Sequence, residues 1–368
     1  MKQVILDIAK EMNIENIGFT NILNYDYLEH SLNERVKKNY NNELEENNIK
    51  KRLDARNIFP QCKSIIAVGI TYAKGYKKIN TLDKGLLSVV SLGEDYHFKV
   101  KSLLNQLAQK INDNFKNEYM ICVDTSPLID REICKNAGIG NYGKNSLVIN
   151  DNYGSFMYLG YILTDLKIEN EILNNKCENK NICNGCNICV NSCPNNAILN
   201  DGGINTKRCV SYLTQTKLYI PLEYRSNMEN QIYGCDICQL VCPKNNKILS
   251  MEPDNDYKEL LVDFDELLSM NNSQFNYKYG YMSGSWRGKN MWKRNSIISI
   301  ANLDLKTMFE KVQNELKNPS EMIKTYSAWS LMKLNKQKAS DILHSNLKYE
   351  NDIIKNEYKK LLEVDKLW

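Results

Sequence analysis

Cys183-Asn184-Gly185-Cys186-Asn187-Ile188-Cys189-Val190-Asn191-Ser192-Cys193-Pro194, answered further along by Cys235-Asp236-Ile237-Cys238-Gln239-Leu240-Val241-Cys242-Pro243, decides how this chain is read. Thiolates at i, i+3 and i+6 wrap a turn of backbone around three irons of a 4Fe-4S cubane. The cysteine that precedes proline lies too far along to reach the same cubane and ligates a second one. The second run has two closely spaced cysteines ahead of Cys242, so a further ligand has to come from elsewhere, and Cys209 is the nearest candidate upstream. Two sets of four result: Cys183, Cys186, Cys189 and Cys242 for one cluster, Cys193, Cys209, Cys235 and Cys238 for the other. Structural zinc and disulfides are the rival uses of paired cysteines. Zinc explains neither the x2-x2-x3-Pro run nor its near repeat.

Composition points to a reducing, cytoplasmic setting. The chain has 368 residues, 12 of them Cys, and a formal net charge of +4, which is too mild to mark a nucleic-acid binder by itself. Charge enters at Lys2 and Asp7, too early for a signal-peptide core, and no apolar run approaches the roughly 20 residues of a membrane span. Cys62, Cys122 and Cys134 sit beside or within apolar stretches and read as buried thiols. Cys177, just ahead of the first run, reads as a bystander.

Outward from the cysteines the chain divides in three: an α/β domain over 1–175, a ferredoxin-like domain over 176–252 and a helical-repeat domain over 253–368. In the first, Val4, Ile5, Ile8 and Met12 mark a helix face, and Ile65 to Ile70 suits a buried strand. Val100, Leu103, Leu104, Leu107, Ile111 and Phe115 fall at helical spacing. A strand over Tyr119 to Val123 leads into Asp124. A hairpin is expected between Leu147-Val148-Ile149 and Phe156 to Leu163, with its turn at Asn152 to Gly154. Residues 38–50, rich in Asn, Glu and Lys, read as a solvated loop or frayed helix.

Past residue 255 the pattern is helical. Asn318-Pro319-Ser320-Glu321 predicts a helix start with Asn318 as its cap, and Met322, Tyr326, Trp329 and Met332 form the stripe that follows. Ile353, Ile354, Tyr358, Leu361 and Leu362 form another. Residues 281–368 hold 16 Lys and Arg against 10 Asp and Glu. Arg287, Lys289, Lys293 and Arg294 are interleaved with Trp286 and Trp292, a mixture suited to a phosphate backbone and exposed bases. A solvated helix face is the plainer reading of most basic runs.

Cubanes pass single electrons, so an electron-delivery segment implies an acceptor. Gly138-Ile139-Gly140-Asn141-Tyr142-Gly143-Lys144-Asn145 is a glycine-dense turn where backbone can lie close to a large cofactor. Its G-x-G-x-x-G spacing precedes a strand instead of joining a strand to a helix, so a dinucleotide reading fails on context.

Glu94-Asp95-Tyr96-His97, Val123-Asp124-Thr125-Ser126-Pro127, Ala137-Gly138-Ile139-Gly140 to Gly143-Lys144-Asn145, Arg208-Cys209 to Thr214 and Gly234-Cys235-Asp236 to Gln239 follow one another in an order that resembles the tRNA epoxyqueuosine reductase family. Gly284-Ser285-Trp286-Arg287 to Arg294-Asn295 is similar to that family's helical-repeat opening. The resemblance runs over roughly residues 50 to 300, and the order of the motifs carries it. It implies an N-terminal cobalamin-binding domain, a two-cluster domain and a HEAT-like domain. The implied reaction is reduction of the epoxide of epoxyqueuosine, at the wobble position of a tRNA, to the alkene of queuosine. The implied cofactors are two 4Fe-4S clusters and base-off cobalamin, fed by an external low-potential donor of flavodoxin or ferredoxin type. Asp124 is the implied acid for the departing oxygen; on its own, an Asp before Ser-Pro caps a turn. Tyr96 and His97 are expected to line the corrin or substrate pocket, with Gly140, Gly143, Lys144, Asn145 and Ser211 around the cofactor. Trp286, Arg287, Lys289, Lys293 and Arg294 are the expected tRNA contacts. The chain departs from the family at Glu94, where an Arg is usual, and at Asn141, where an aromatic often stands. A corrinoid iron-sulfur reductase of small molecules, akin to a reductive dehalogenase, and a non-catalytic ferredoxin-type carrier are the alternatives.

Overall fold

The computed structural model describes residues 1–169 and 182–363. Cys177 therefore lies outside the described residues. Among them the strands, in chain order, are β1 (Ile17–Thr20), β2 (Ser64–Thr71), β3 (Lys84–Leu87), β4 (Tyr119–Cys122), β5 (Asn141–Tyr142), β6 (Val148–Ile149), β7 (Met157–Thr164), β8 (Gln231–Tyr233) and β9 (Leu261–Asp263).

The chain folds into two compact units, each assembled from separated segments: 1–77, 94–209 and 236–256 in the first, 78–93, 210–235 and 257–368 in the second. This interleaving makes each unit draw on more than one of the stretches 1–175, 176–252 and 253–368. Its physical cause lies in β3, which pairs with β8 on one side and β9 on the other and so leaves its chain neighbours for the second unit.

In the first unit β1, β2, β7 and β4 form a wholly antiparallel sheet in that order. Both faces of the sheet are covered, which is why β2 is apolar without alternation. Ile65 and Ala67 turn to one core with Tyr161 and Leu163, while Ile66 and Val68 turn to another with Phe19 and Ile162. The helix Tyr96–Phe115 lays Val100, Leu104, Leu107 and Ile111 on that second core. It approaches closely at Gly160, where a Cβ would stand 2.8 Å from Leu104. The first helix, Lys2–Glu11, buries Ile5, Ile8 and Ala9 and leaves Val4 exposed. Residues 38–48 connect two helices, and Glu45 ties them together through Arg35 and Arg52.

The expected hairpin between β6 and β7 is not formed. β6 pairs with β5 instead, and β7 joins β2 and β4, with a single bridge between Asn150 and Gly154 marking the turn. Both segments satisfy their backbone groups elsewhere, so proximity in sequence does not decide the pairing.

The second unit packs the small β8-β3-β9 sheet with a set of helices, the centre of which is Glu321–Leu334. The N-cap of that helix is Ser320, two residues beyond the cap read from sequence, because Asn318 Oδ1 accepts from Ser320 N and Asn318 Nδ2 turns to Glu315. Met322 is half-buried, whereas Tyr326, Trp329 and Met332 are buried as expected. On the last helix, Asp352–Glu363, Ile354, Tyr358 and Leu361 point inward and Ile353 is 64% exposed. Arg225, fully buried, lies against the rings of Tyr219, Tyr326 and Trp329 and donates to Ile220 O and Glu357.

Candidate active site and cluster site

At the end of β4 the chain turns sharply. Thr125 N donates to Val123 O at 2.5 Å, which centres a three-residue turn on Asp124 with φ +54°. A non-glycine residue in that region costs on the order of 1–3 kcal/mol and is held there only by its surroundings. The turn projects the Asp124 carboxylate outward, 61% exposed, to within 3.2 Å of His97 Nε2. His97 Nδ1 faces Asp95 Oδ1 at 2.7 Å. Asp95 is also the N-cap of the helix Tyr96–Phe115, its Oδ1 accepting from His97 N. One imidazole is thus held between two carboxylates.

The electrostatics follow from that geometry. Hydrogen bonding to Asp124, and then to Asp95 against the opposing effect of burial, raises the His97 pKa above that of a free imidazole. The same bond to His97 holds the Asp124 carboxyl below the ordinary carboxylate range. Behind the turn Asp130 is half-buried, and the loss of solvent pushes its pKa up to about 7, with the charge of Asp124 adding to the effect. Tyr161 Oη donates to Asp130 Oδ1 at 2.9 Å and pairs with Ser126 Oγ.

Beside His97 lies a run of stacked rings. His97 and Tyr96 stack at 4.1 Å between centroids, Tyr96 and Tyr158 at 4.7 Å, and Tyr158 and Tyr72 at 4.3 Å. All four are half-buried and form a column of stacked rings next to the carboxylate. Tyr72, Tyr158 and the cap role of Asp95 were not picked out by sequence reasoning. An Asp ahead of a helical run is a visible cap signal; the tyrosine stack depends on strand pairing and has no linear signature.

The cysteines of the first set converge. Cys183, Cys186, Cys189 and Cys242 line a cavity of about 90 Å³ together with Lys144 and Asn145. Among the described residues no three His, Cys, Asp or Glu draw in far enough to hold a single metal ion. The thiols surround a space instead. Burial and then the neighbouring thiols raise the Cys189 pKa, which a bound iron would offset, since the thiolate is the ligand form. Asn245 fixes the Cys242-Pro243 segment: it is fully buried, donates to Gln239 O at 2.7 Å and accepts from Ser155 N at 2.7 Å. Of the second set, Cys193 Sγ accepts from Ala197 N at 3.2 Å, and Cys209 follows a turn pinned by Thr206 to Tyr40 O. Cys238 lies in the same unit as these, and Cys235 is in the other. The donor set of the first ring, four thiols and an orphaned buried amide at Asn145 Nδ2, fits an iron-sulfur cluster.

The remaining expected residues divide. Gly140 and Gly143 are glycine for the sake of the β5-β6 hairpin: a Cβ would stand 2.6 Å from Ile149 O at Gly140 and 2.6 Å from Ile149 Cδ1 at Gly143. Ser211 is on a short helix of the second unit, where its carbonyl accepts from Thr214 and Gln215. Trp286 is 55% exposed, Arg287 stacks on its ring at 4.0 Å, and Lys289 donates to Met270 O.

Two expected surface cations are buried instead. Lys293 is paired with Glu315 at 2.7 Å, and Arg294, with no exposed surface, donates to Thr216 O and Leu213 O at 2.5 and 2.6 Å. Trp292, also buried, donates to Gly284 O and packs on Phe275 and Tyr279. Alternation of cations with aromatics is a property of the linear sequence; the helix Lys289–Asn302 is enclosed by its neighbours almost all round, so these positions turn inward.

A ring of four thiols and an acid-imidazole-acid array in one α/β unit define an iron-sulfur oxidoreductase. Comparison with known proteins makes this specific. Residues 182–245 match the family model for a 4Fe-4S double cluster binding domain, and residues 52–125 match the one described as epoxyqueuosine reductase QueG, DUF1730. The epoxyqueuosine reductase of Lactococcus garvieae is 37% identical over 351 residues, covering 91% of this chain and 96% of that protein. That of Bacillus subtilis is 32% identical, covering 96% and 92%. A solved epoxyqueuosine reductase holding a tRNA-Tyr epoxyqueuosine-modified stem loop superposes with a TM-score of 0.90 at 31% identity, over 98% of both chains. A Bacillus subtilis structure with its catalytic aspartate loop swung out of the active site gives 0.88, also at 31% identity and 98% coverage of both. The chain belongs to the epoxyqueuosine reductase family.

Proposed function

We propose that this protein reduces the epoxide of epoxyqueuosine in tRNA to the alkene of queuosine, consuming two electrons and two protons and releasing one oxygen as water. The observation that carries the reading is the Asp95-His97-Asp124 array, set at a strained turn in the same unit as the four-thiol ring. Single electrons enter from an external low-potential donor of flavodoxin or ferredoxin type through two 4Fe-4S clusters, held by Cys183, Cys186, Cys189 and Cys242, and by Cys193, Cys209, Cys235 and Cys238. Base-off cobalamin, when bound, supplies a strongly reducing cobalt centre for opening the epoxide. The stacked Tyr72, Tyr158, Tyr96 and His97 rings offer an apolar, half-buried lining beside Asp124 that suits a corrin.

The array divides the proton between its members. His97 holds it, since both neighbours are carboxylates, and Asp124, whose carboxylate is exposed, presents it to the departing oxygen. Both imidazole nitrogens are engaged, so His97 acts as a proton holder instead of a metal ligand. The relative with a catalytic aspartate loop supports this place for Asp124. Exposed Trp286, with half-buried Arg287 stacked on its ring and Lys289 beside them, supplies the tRNA contacts of the second unit. A tRNA substrate fits a cytoplasmic setting, and among the described residues no helix is long and apolar enough to cross a membrane.

The test is incubation with epoxyqueuosine-containing tRNA, cobalamin and a chemical reductant under anaerobic conditions, followed by mass analysis of the nucleosides. Loss of one oxygen is expected. Unchanged epoxyqueuosine in the presence of loaded clusters and cobalamin would refute the proposal.

A further inference from the structure

We propose that the turn Gly143 to Ser146 donates two hydrogen bonds to the cluster held by Cys183, Cys186, Cys189 and Cys242, one from the Lys144 main-chain amide and one from the Asn145 side chain, and thereby raises that cluster's reduction potential. The first bond is seen directly: Lys144 N lies 3.3 Å from Cys183 Sγ. The second follows from what Asn145 lacks. Its side chain is 4% exposed and lines the cavity that the four thiols enclose. Asn145 Oδ1 accepts from Leu147 N at 3.3 Å, which fixes the oxygen on that side, and Nδ2 has no partner among the described residues. A buried amide donor without an acceptor is costly. A sulfur in the cavity removes that cost.

The turn is built to keep the arrangement. Ser146 N donates to Gly143 O at 2.9 Å, closing a four-residue turn with Lys144 and Asn145 at its centre. A Cβ on Gly143 would stand 2.7 Å from Asn145 Oδ1, so the absence of a side chain there leaves Asn145 room to fold back. These bonds lie outside the cysteine runs. They reach the cluster from the β5-β6 hairpin, at the other end of the motif that holds the glycines. Hydrogen bonds to thiolate and sulfide sulfur favour the more negatively charged, reduced cluster and so raise its potential.

The experiment is a redox titration followed by electron paramagnetic resonance on anaerobic protein with full iron and sulfide content and without tRNA or cobalamin. Its outcome is therefore independent of the epoxide reaction. Lys144→Pro deletes the amide hydrogen at the second position of the turn, where proline is well tolerated. Lys144→Ala keeps the amide and deletes the ammonium, and Asn145→Leu deletes the side-chain donor at similar size. Lys144→Pro and Asn145→Leu are each expected to move one cluster to a more negative midpoint while the other, an internal reference, stays in place; Lys144→Ala is expected to move it much less. An unshifted midpoint in both donor deletions overturns the proposal, as does a shift in Lys144→Ala equal to that in Lys144→Pro. Should Lys144→Pro fail to retain its clusters, Asn145→Leu decides alone, and no shift there overturns it.

Discussion

Asp124→Asn separates the chemical role of this residue from its structural one. The ion pair with His97 spans 3.2 Å but is open to solvent, with the two side chains 61% and 31% exposed. Exposed pairs of this kind contribute about 0–1 kcal/mol to stability. Asparagine also accepts the φ of +54° better than other non-glycine residues. Melting should therefore change little, and clusters and cobalamin should be retained. Turnover is another matter. Asn cannot carry a proton to oxygen, and His97 loses the first cause of its raised pKa. Losing a positioned acid costs about 10²- to 10⁴-fold in rate, or about 2.7 to 5.4 kcal/mol of barrier at 1.36 kcal/mol per decade. Single-turnover assays with nucleoside mass analysis, run with protein of matched cofactor content, should show a loss in that range. A rate near that of the parent protein would remove Asp124 from proton delivery.

The pH profile should carry the mark of His97. Its pKa is raised, so the charged, proton-holding form persists above the roughly 6.5 of an ordinary imidazole and is lost as pH rises through the folded value. Turnover should fall along that alkaline limb, and Asp95→Asn, which keeps a capping side chain, should move the limb to lower pH; an unmoved limb would mean that another group sets it. Arg294→Leu and Arg287→Ala should separate fold from substrate binding. The first abandons two buried carbonyls and should destabilise by about 1–3 kcal/mol for each in denaturant unfolding. The second should leave stability unchanged, weaken tRNA binding and reduce its salt slope by about one; equal melting of the two variants would contradict the burial of Arg294. Gly18→Ala would place a Cβ 2.0 Å from Ala137 O and should cost about 1–3 kcal/mol, read by the same unfolding assay.

The cysteine spacing was legible because cluster ligands must sit at fixed intervals of backbone, and the apolar strand Ile65 to Ile70 because both of its faces are covered. The motif order around Asp124 and Tyr96-His97 was equally visible. The acid-imidazole-acid array was not, since Asp95, His97 and Asp124 meet only where a helix N-cap faces the end of β4. In sequence, Lys144 and Asn145 are indistinguishable from corrin contacts; their place beside Cys183 depends on the β5-β6 pairing.

The sequence by itself determined the cofactor class and the family, because both rest on residue types at intervals along one chain. Tertiary structure alone decided which side chains are available for work. Arg294 and Trp292 belong to the same basic, aromatic run as Arg287 and Trp286, yet the first two are sealed inside and Trp286 meets solvent with Arg287 stacked on it. Burial depends on what packs around a helix, and neighbours distant in sequence, here the carbonyls of Leu213 and Thr216, supply that packing.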